Sequence, residues 1–174
     1  AKHQFLILAS ELQAAGMSAG KITQLDFKIT AINGITTYHA FTLQMGCTNI
    51  PSLSNWVGGL STVFSPQTVN IATGWNTYVF DSPYNWDGVS NLVVETCFSE
   101  MPPTANYTDN SSSPYTTTAF VSCLYYIDDM TPACSYTGMP STSNSRTNMR
   151  LHYCSVASNP ADFTYQWTPS TGNI

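Results

Sequence analysis

Three histidines, His3, His39 and His152, are the first side chains that could carry chemistry, and each falls in a different strand-like stretch. None stands in a His-x-x-x-His or Glu-linked pattern, so a zinc site would need three separate strands to converge. Ordinary polar or part-buried histidines are the expectation. Asp81, Asp87 and Glu95 lie close together in sequence and invite comparison with the carboxylate pair of a glycosidase. The spacing argues against it. Glu95 alternates with Leu92 and Val94, which puts it on the opposite face of a strand, and Asp87 precedes Gly88 in a turn-forming pair. Asp128-Asp129 supplies two adjacent carboxylates where calcium takes roughly six to eight oxygens. The many serines sit in no Gly-x-Ser-x-Gly elbow. These residues assign no catalytic, cofactor or metal site, and the chain reads as non-enzymatic.

The five cysteines contain no Cys-x-x-Cys pair, and in a chain with few charges they point to an oxidising, extracellular setting. If Asp128-Asp129 is the centre of a hairpin, Cys123 and Cys134 are equidistant from it and face one another across two strands, which predicts a disulfide. Cys47, Cys97 and Cys154 remain. At least one thiol is then free or paired between chains, or else buried and unreactive. Asn106-Tyr107-Thr108 and Asn110-Ser111-Ser112 satisfy the N-glycosylation pattern in a polar loop, making Asn106 and Asn110 candidates, although such triplets arise by chance in Asn/Ser/Thr-rich chains. Trp56, Trp75, Tyr84 and Trp86 are candidate sugar-stacking rings. The competing reading makes Trp75 and Trp86 plugs for the end of a sandwich.

The elements that must position these residues are short and β-rich. With 174 residues the chain suits one packed domain. Charged residues make up 9% of it, against roughly 25% in ordinary domains, so neutral polar groups carry its hydration. A net charge of −5 with five basic residues leaves no footprint for nucleic acid, and no apolar run reaches the roughly 20 residues of a membrane-spanning helix. The chain begins with Ala rather than Met, which suggests a processed N-terminus or an excised fragment.

His3 to Ser10 reads as a strand, followed by one helical turn ending at Gly16. Lys21 to Ile32 alternates, with Leu25, Phe27 and Ile29 on one face and Asp26, Lys28 and Thr30 on the other. Asn33-Gly34 signals a tight turn, so this strand and Thr36 to Cys47 read as a hairpin. Pro51 to Trp56 is a bridge. Ser61 to Phe64 and Gln67 to Ile71 read as strands broken by Pro66. Gly74 to Phe98 reads as strand, aromatic-lined loop, strand. Tyr115 to Ile127 and Arg146 to Ala157 are further strands, separated by the polar loop Gly138 to Ser145. No helical period persists, and turn signals recur at sandwich spacing. The expected class is all-β, an antiparallel, jelly-roll-like β-sandwich with short helical connectors.

Ser10-Glu11-Leu12, Gly74-Trp75-Asn76, Trp86-Asp87-Gly88-Val89-Ser90-Asn91-Leu92 and Val94-Glu95-Thr96-Cys97-Phe98 together resemble a β-sandwich module of Bacteroidota secreted and cell-surface proteins, many of them type IX secretion cargo. The resemblance covers roughly residues 4 to 156. In that family a PKD-like domain commonly follows, and Phe163 to Gly172 is similar to the first strand of one. The expected organisation is therefore a sandwich over residues 1–158 and a strand-like tail, or the start of a following domain, over 159–174. The resemblance implies an extracellular structural or adhesive role and supplies no catalytic residues.

The first functional expectation is thus a building block of a surface protein or fibre whose partners are copies of itself or neighbouring domains. The stretch Phe5, Leu6, Ile7 and Leu8 is more apolar than an edge strand should be. Phe163, Tyr165 and Trp167 alternate in the tail. Either could donate a strand to a neighbouring subunit. The alternative is a carbohydrate-binding module using the aromatic residues named above, with glycans as partners.

Overall fold

The computed structural model describes residues 1–98, 111–128 and 133–155. The tail aromatics Phe163, Tyr165 and Trp167 and the sequons at Asn106 and Asn110 lie outside them. Strand β1 (Lys2–Ile7) leads through the short helix α1 (Ala9–Ala14) to β2 (Gly20–Ile29), β3 (Ala31–Ile32), β4 (Thr37–Thr48), β5 (Ser61–Asn70), β6 (Gly74–Trp86) and β7 (Asn91–Cys97). The second half adds β8 (Ser111–Ser112), β9 (Tyr115–Thr117), β10 (Cys123–Tyr126), a 3₁₀ turn (Ala133–Ser135), β11 (Ser141–Ser143), β12 (Ser145–Thr147) and β13 (Met149–Ser155).

The strands pair antiparallel into a six-stranded sheet of order β11-β10-β1-β7-β4-β5 and a three-stranded sheet of order β13-β2-β6, with two small ribbons, β9-β12 and β3-β8. The all-β sandwich class is as expected. Its main core lies between the two larger sheets, where Leu25, Phe27 and Ile29 of β2 meet Phe41, Leu43 and Met45 of β4. Both rows are the alternating residues that a half-buried strand presents on one face. A second, smaller core of Leu6, Leu53, Val93 and Leu124 lies on the outer face of the six-stranded sheet, joined by part-buried Ile50, Trp56 and Leu60 from the β4–β5 connection.

That second core corrects one expectation. Phe5, Leu6, Ile7 and Leu8 do not form a donor strand, because β1 is hydrogen-bonded to β10 on one side and β7 on the other. Phe5 and Ile7 face the main core and Leu6 the second one. A strand covered on both faces needs apolar residues on both, which accounts for the run.

The hairpin expected around Asn33-Gly34 does not form either. β2 pairs with β6 and β13, whereas β4 pairs with β5 and β7, so the chain crosses between sheets there. Alternation on both strands is satisfied by facing one another across the core. Pro66 does not split its strand: β5 runs unbroken at the sheet edge, where a missing N–H is tolerated and the pairing shifts register. Likewise β6 continues through Pro83 to Trp86, with a register shift opposite Ile22 and Gln24 absorbing it. The Gly138 to Ser145 stretch carries β11 and the start of β12.

The predicted Cys123–Cys134 disulfide is also corrected. Cys134 is bonded to Cys97, and Cys123 is a buried free thiol. β10 and β11 do pair, but Cys123 stands opposite Ser143. The excursion between the two strands is longer than a turn at Asp128, and its 3₁₀ turn carries Cys134 to the end of β7.

Candidate functional site

The distinctive sequence clusters are first of all framework. Glu11 accepts the Leu8 N–H at 2.8 Å, which closes the start of α1, and its two oxygens take both Arg146 terminal nitrogens at 2.8 Å. Arg146 also donates to the Leu6 carbonyl at 2.6 Å, so α1, β1 and β12 are tied together. The bidentate guanidinium holds the Glu11 carboxyl below its usual range, against the opposing effect of burial.

The Trp86–Asn91 turn works the same way. Asp87 accepts the backbone N–H groups of Val89 and Ser90 at 2.9 and 2.8 Å and the Ser90 hydroxyl at 2.5 Å, and these bonds lower its pKa, the Ser90 hydroxyl foremost. Gly88 sits at φ 83°, and a Cβ there would meet the Ala19 nitrogen at 2.8 Å, so glycine is required twice over. Asn91 accepts the Ala9 N–H at 2.8 Å and donates to the Ile50 carbonyl at 2.9 Å, joining α1 to the β4–β5 connection. Trp86 is 2% exposed and donates its indole N–H to the Ser90 carbonyl. It is a plug in the main core, as one of the two sequence readings held for it, whereas Trp75, given the same role by that reading, is 37% exposed and lies outside the core.

The four candidate stacking rings are not brought together. Trp86 is internal. Tyr84 is part-buried against the main core. Trp75 stands on the outer face of the three-stranded sheet with the Arg150 guanidinium 3.6 Å from its ring centroid, so one of its faces is already taken. Trp56 alone borders a substantial groove, which lies over the outer face of the six-stranded sheet.

This groove encloses about 630 Å³ and is bordered by Lys2, Gln44, Trp56, Glu95 and Tyr136. Alternation along β1 and β7 puts Lys2, Gln4 and Glu95 on its floor, opposite the main core. Glu95 accepts from Gln4 at 2.7 Å and pairs with Lys2 at 3.6 Å, and it is only 7% exposed. Gln4 spans further to the Val57 backbone, donating to its carbonyl at 2.9 Å and accepting its N–H at 2.8 Å. The Lys2 ammonium lies 4.7 Å from the Trp56 ring centroid, and the indole N–H donates to the Gly138 carbonyl at 2.8 Å. The Cys97–Cys134 disulfide forms part of the groove wall.

No known protein-family model matches the chain, and neither curated sequences nor solved structures give a match. The reading of the groove therefore rests on its own geometry. Glu95 is the one carboxylate among the described residues that border it, so the two-carboxylate arrangement of a glycosidase is not assembled there. The amide of Gln44, the hydroxyl groups of Thr42 and Thr62 and the indole ring suit hydrogen bonding and stacking instead.

The remaining chemistry-bearing residues are dispersed. Asp81 accepts the Ser65 N–H at 2.7 Å, bracing β6 against β5. His152 meets Asp26 at 2.9 Å on the outer face of the three-stranded sheet, while His39 contacts Thr68. Among the described residues no group of three His, Cys, Asp or Glu side chains is placed to hold a metal. Asp128 bonds the Tyr126 hydroxyl, and Asp129 lies outside the described residues.

Lys2 and Gln4 escaped notice in the sequence, and Glu95 was considered there only as a member of a carboxylate pair. Alternation put Glu95 opposite Leu92 and Val94, but only the connection folded over that face makes it a buried, paired carboxylate.

Proposed function

We propose that the chain is a non-enzymatic structural and adhesive module of an extracellular surface protein, a building block that meets copies of itself or neighbouring domains. The observation that supports this most is the use made of its distinctive residues. Glu11, Trp86, Asp87, Gly88 and Asn91 all bind helix, turn and strands to one another, as a repeated scaffold requires. An internal disulfide fits an oxidising compartment. Among the described residues no helix is long and apolar enough to cross a membrane.

Assembly by strand donation rests on the tail. β13 pairs on one side only among the described residues, so its outer edge offers unpaired backbone to an incoming strand carrying Phe163, Tyr165 and Trp167. Deleting residues 160–174 abolishes ordered polymers in electron micrographs if this is right. Polymers that persist unchanged after the deletion rule the tail out.

A second reading, carbohydrate binding, is favoured by the groove beside Trp56. Sugar rings stack on indole while amides and hydroxyl groups take their hydroxyls. On this reading Trp56→Ala weakens binding to glycans captured on an array by at least tenfold, whereas Trp75→Ala leaves it unchanged. Silence across the array for the intact chain dismisses it.

A further inference from the structure

Of the five basic residues in the chain, two are engaged in the framework, Lys2 with Glu95 at 3.6 Å and Arg146 with Glu11 at 2.8 Å. The other three, Lys21, Lys28 and Arg150, have no carboxylate partner among the described residues. All three lie on the outer face of the three-stranded sheet. β2 buries Ile22, Leu25, Phe27 and Ile29 in the main core, so Lys21 and Lys28 point outward with Gln24 and Asp26, and on β13 Arg150 stands opposite Asp26. A chain of net charge −5 thus gathers its unpaired cations on one side.

The carboxylates of that face are already engaged. Asp26 is 4% exposed and is bonded to Gln24 and His152, both at 2.9 Å, while Asp81 near the β6 edge accepts the Ser65 N–H at 2.7 Å. Neither pairs with Lys28 or Arg150. The face is also open, and it carries a ring. Trp75, Thr77 and Val79 of β6 are exposed, Trp75 to 37% and Val79 to 62%. Arg150 Cζ lies 3.6 Å and the Lys28 ammonium 5.9 Å from the Trp75 ring centroid. A guanidinium held against an indole is oriented in advance, and its N–H groups remain free for a bidentate bond to a carboxylate.

We propose that this face binds an acidic polysaccharide, a chain of uronic-acid sugars in which one carboxylate is taken by Arg150 with Lys28 beside it and the sugar ring packs on the exposed surface of Trp75. Cations without partners call for an anion, and the indole they surround calls for a body that packs on an aromatic ring. Lys21 lies roughly 20 Å along β2 from Lys28, at about 3.3 Å per residue, so a polymer running along the strand reaches it and a single sugar does not. A nucleic acid, with a phosphate about every 3.4 Å of each strand, brings more charge than three cations meet, and the acidic remainder of the chain repels it. A peptide adds to a strand edge or lies in a groove, whereas Lys28, Arg150 and Trp75 project from the face of a sheet. A polymer with one charge per sugar fits both the sparse cations and the flat surface. The site is on the opposite side of the sandwich from the groove beside Trp56, and it is independent of the assembly reading.

The test follows binding of polygalacturonate to the full chain by calorimetry and affinity electrophoresis in metal-free buffer, with its fully methyl-esterified form and polyglutamate as comparisons. The expected result is saturable binding of polygalacturonate that weakens as salt is raised, and binding of the ester at least tenfold weaker, since the ester keeps the rings and loses the charge. Arg150→Gln and Trp75→Ala each reduce affinity at least fivefold in a chain whose melting curve shows it folded. Arg150→Lys recovers less than half of the Arg150→Gln loss, because an ammonium offers no planar fork. No saturable binding to the folded chain, or equal binding of acid and ester, overturns the proposal. Polyglutamate held as tightly as polygalacturonate overturns the sugar assignment, and so does full affinity in Trp75→Ala. A loss in Trp56→Ala with none in Arg150→Gln puts the polymer in the groove and overturns the site.

Discussion

Replacing Cys97 and Cys134 together by alanine lowers the unfolding free energy by about 4 kcal/mol, read from the shift in a urea-denaturation curve. The two cysteines are 37 residues apart. Closing a loop of that length removes chain entropy from the unfolded state worth about 4 kcal/mol. The loss is a large part of the roughly 5–15 kcal/mol that holds a domain together. Its structural consequence falls on the groove, since the bridge fastens the 3₁₀ turn, and with it Tyr136, to the end of β7. The same experiment tests the pairing. The oxidised, denatured chain should expose three thiols, those of Cys47, Cys123 and Cys154. In the native chain Cys47 and Cys154 react with a thiol reagent, while Cys123 stays protected by burial. Peptide mapping that joins Cys123 to Cys134, or unchanged stability in the double variant, contradicts the arrangement.

The second large effect belongs to Trp86. Trp86→Ala removes the biggest side chain at that end of the main core and the indole bond to the Ser90 carbonyl, and should cost about 4 kcal/mol. Trp86→Phe keeps most of the volume and should cost about half as much. Trp75→Ala supplies the contrast. Its ring is 37% exposed and gains mainly a cation–π contact with Arg150, so the loss should stay near 1 kcal/mol or below. Equal losses at the two tryptophans, measured by the same denaturation curves, would show that Trp86 is not the plug described here.

Local rules carried some of this fold. The inward row Leu25, Phe27 and Ile29 was legible because a strand alternates with period two, and that row is buried. The turn at Asp87-Gly88 was legible because a glycine after an aspartate suits positive φ, and the structure shows φ 83° there. The outward face of β2 was less legible. Asp26 is 4% exposed although it points away from the main core, because Gln24 and His152 bond to it. Burial does not raise its pKa, since those bonds outweigh the desolvation and hold it below the usual value.

Pairing partners were beyond local reading. The two strands flanking Asn33-Gly34 alternate as a hairpin's would, and nothing in their side chains says whether they share a sheet or face one another across a core. Alternation reports which face is buried; it is silent about what buries it. The same limit applied to the cysteines. Equal distance from Asp128-Asp129 pairs Cys123 with Cys134 only if that dipeptide is the hairpin centre, whereas the β10–β11 register sets Cys123 opposite Ser143 and frees Cys134 to reach Cys97.

By itself, then, the sequence determined the class of the fold, the inward rows of its strands and the turn after Trp86, since each depends on residues close together along the chain. Tertiary structure alone decided that β1 is central, that Cys97 is the partner of Cys134, and that Trp56 joins Lys2 and Glu95 in one groove. Each of these depends on which distant segments meet, and meeting is governed by the summed burial and backbone pairing of the whole chain.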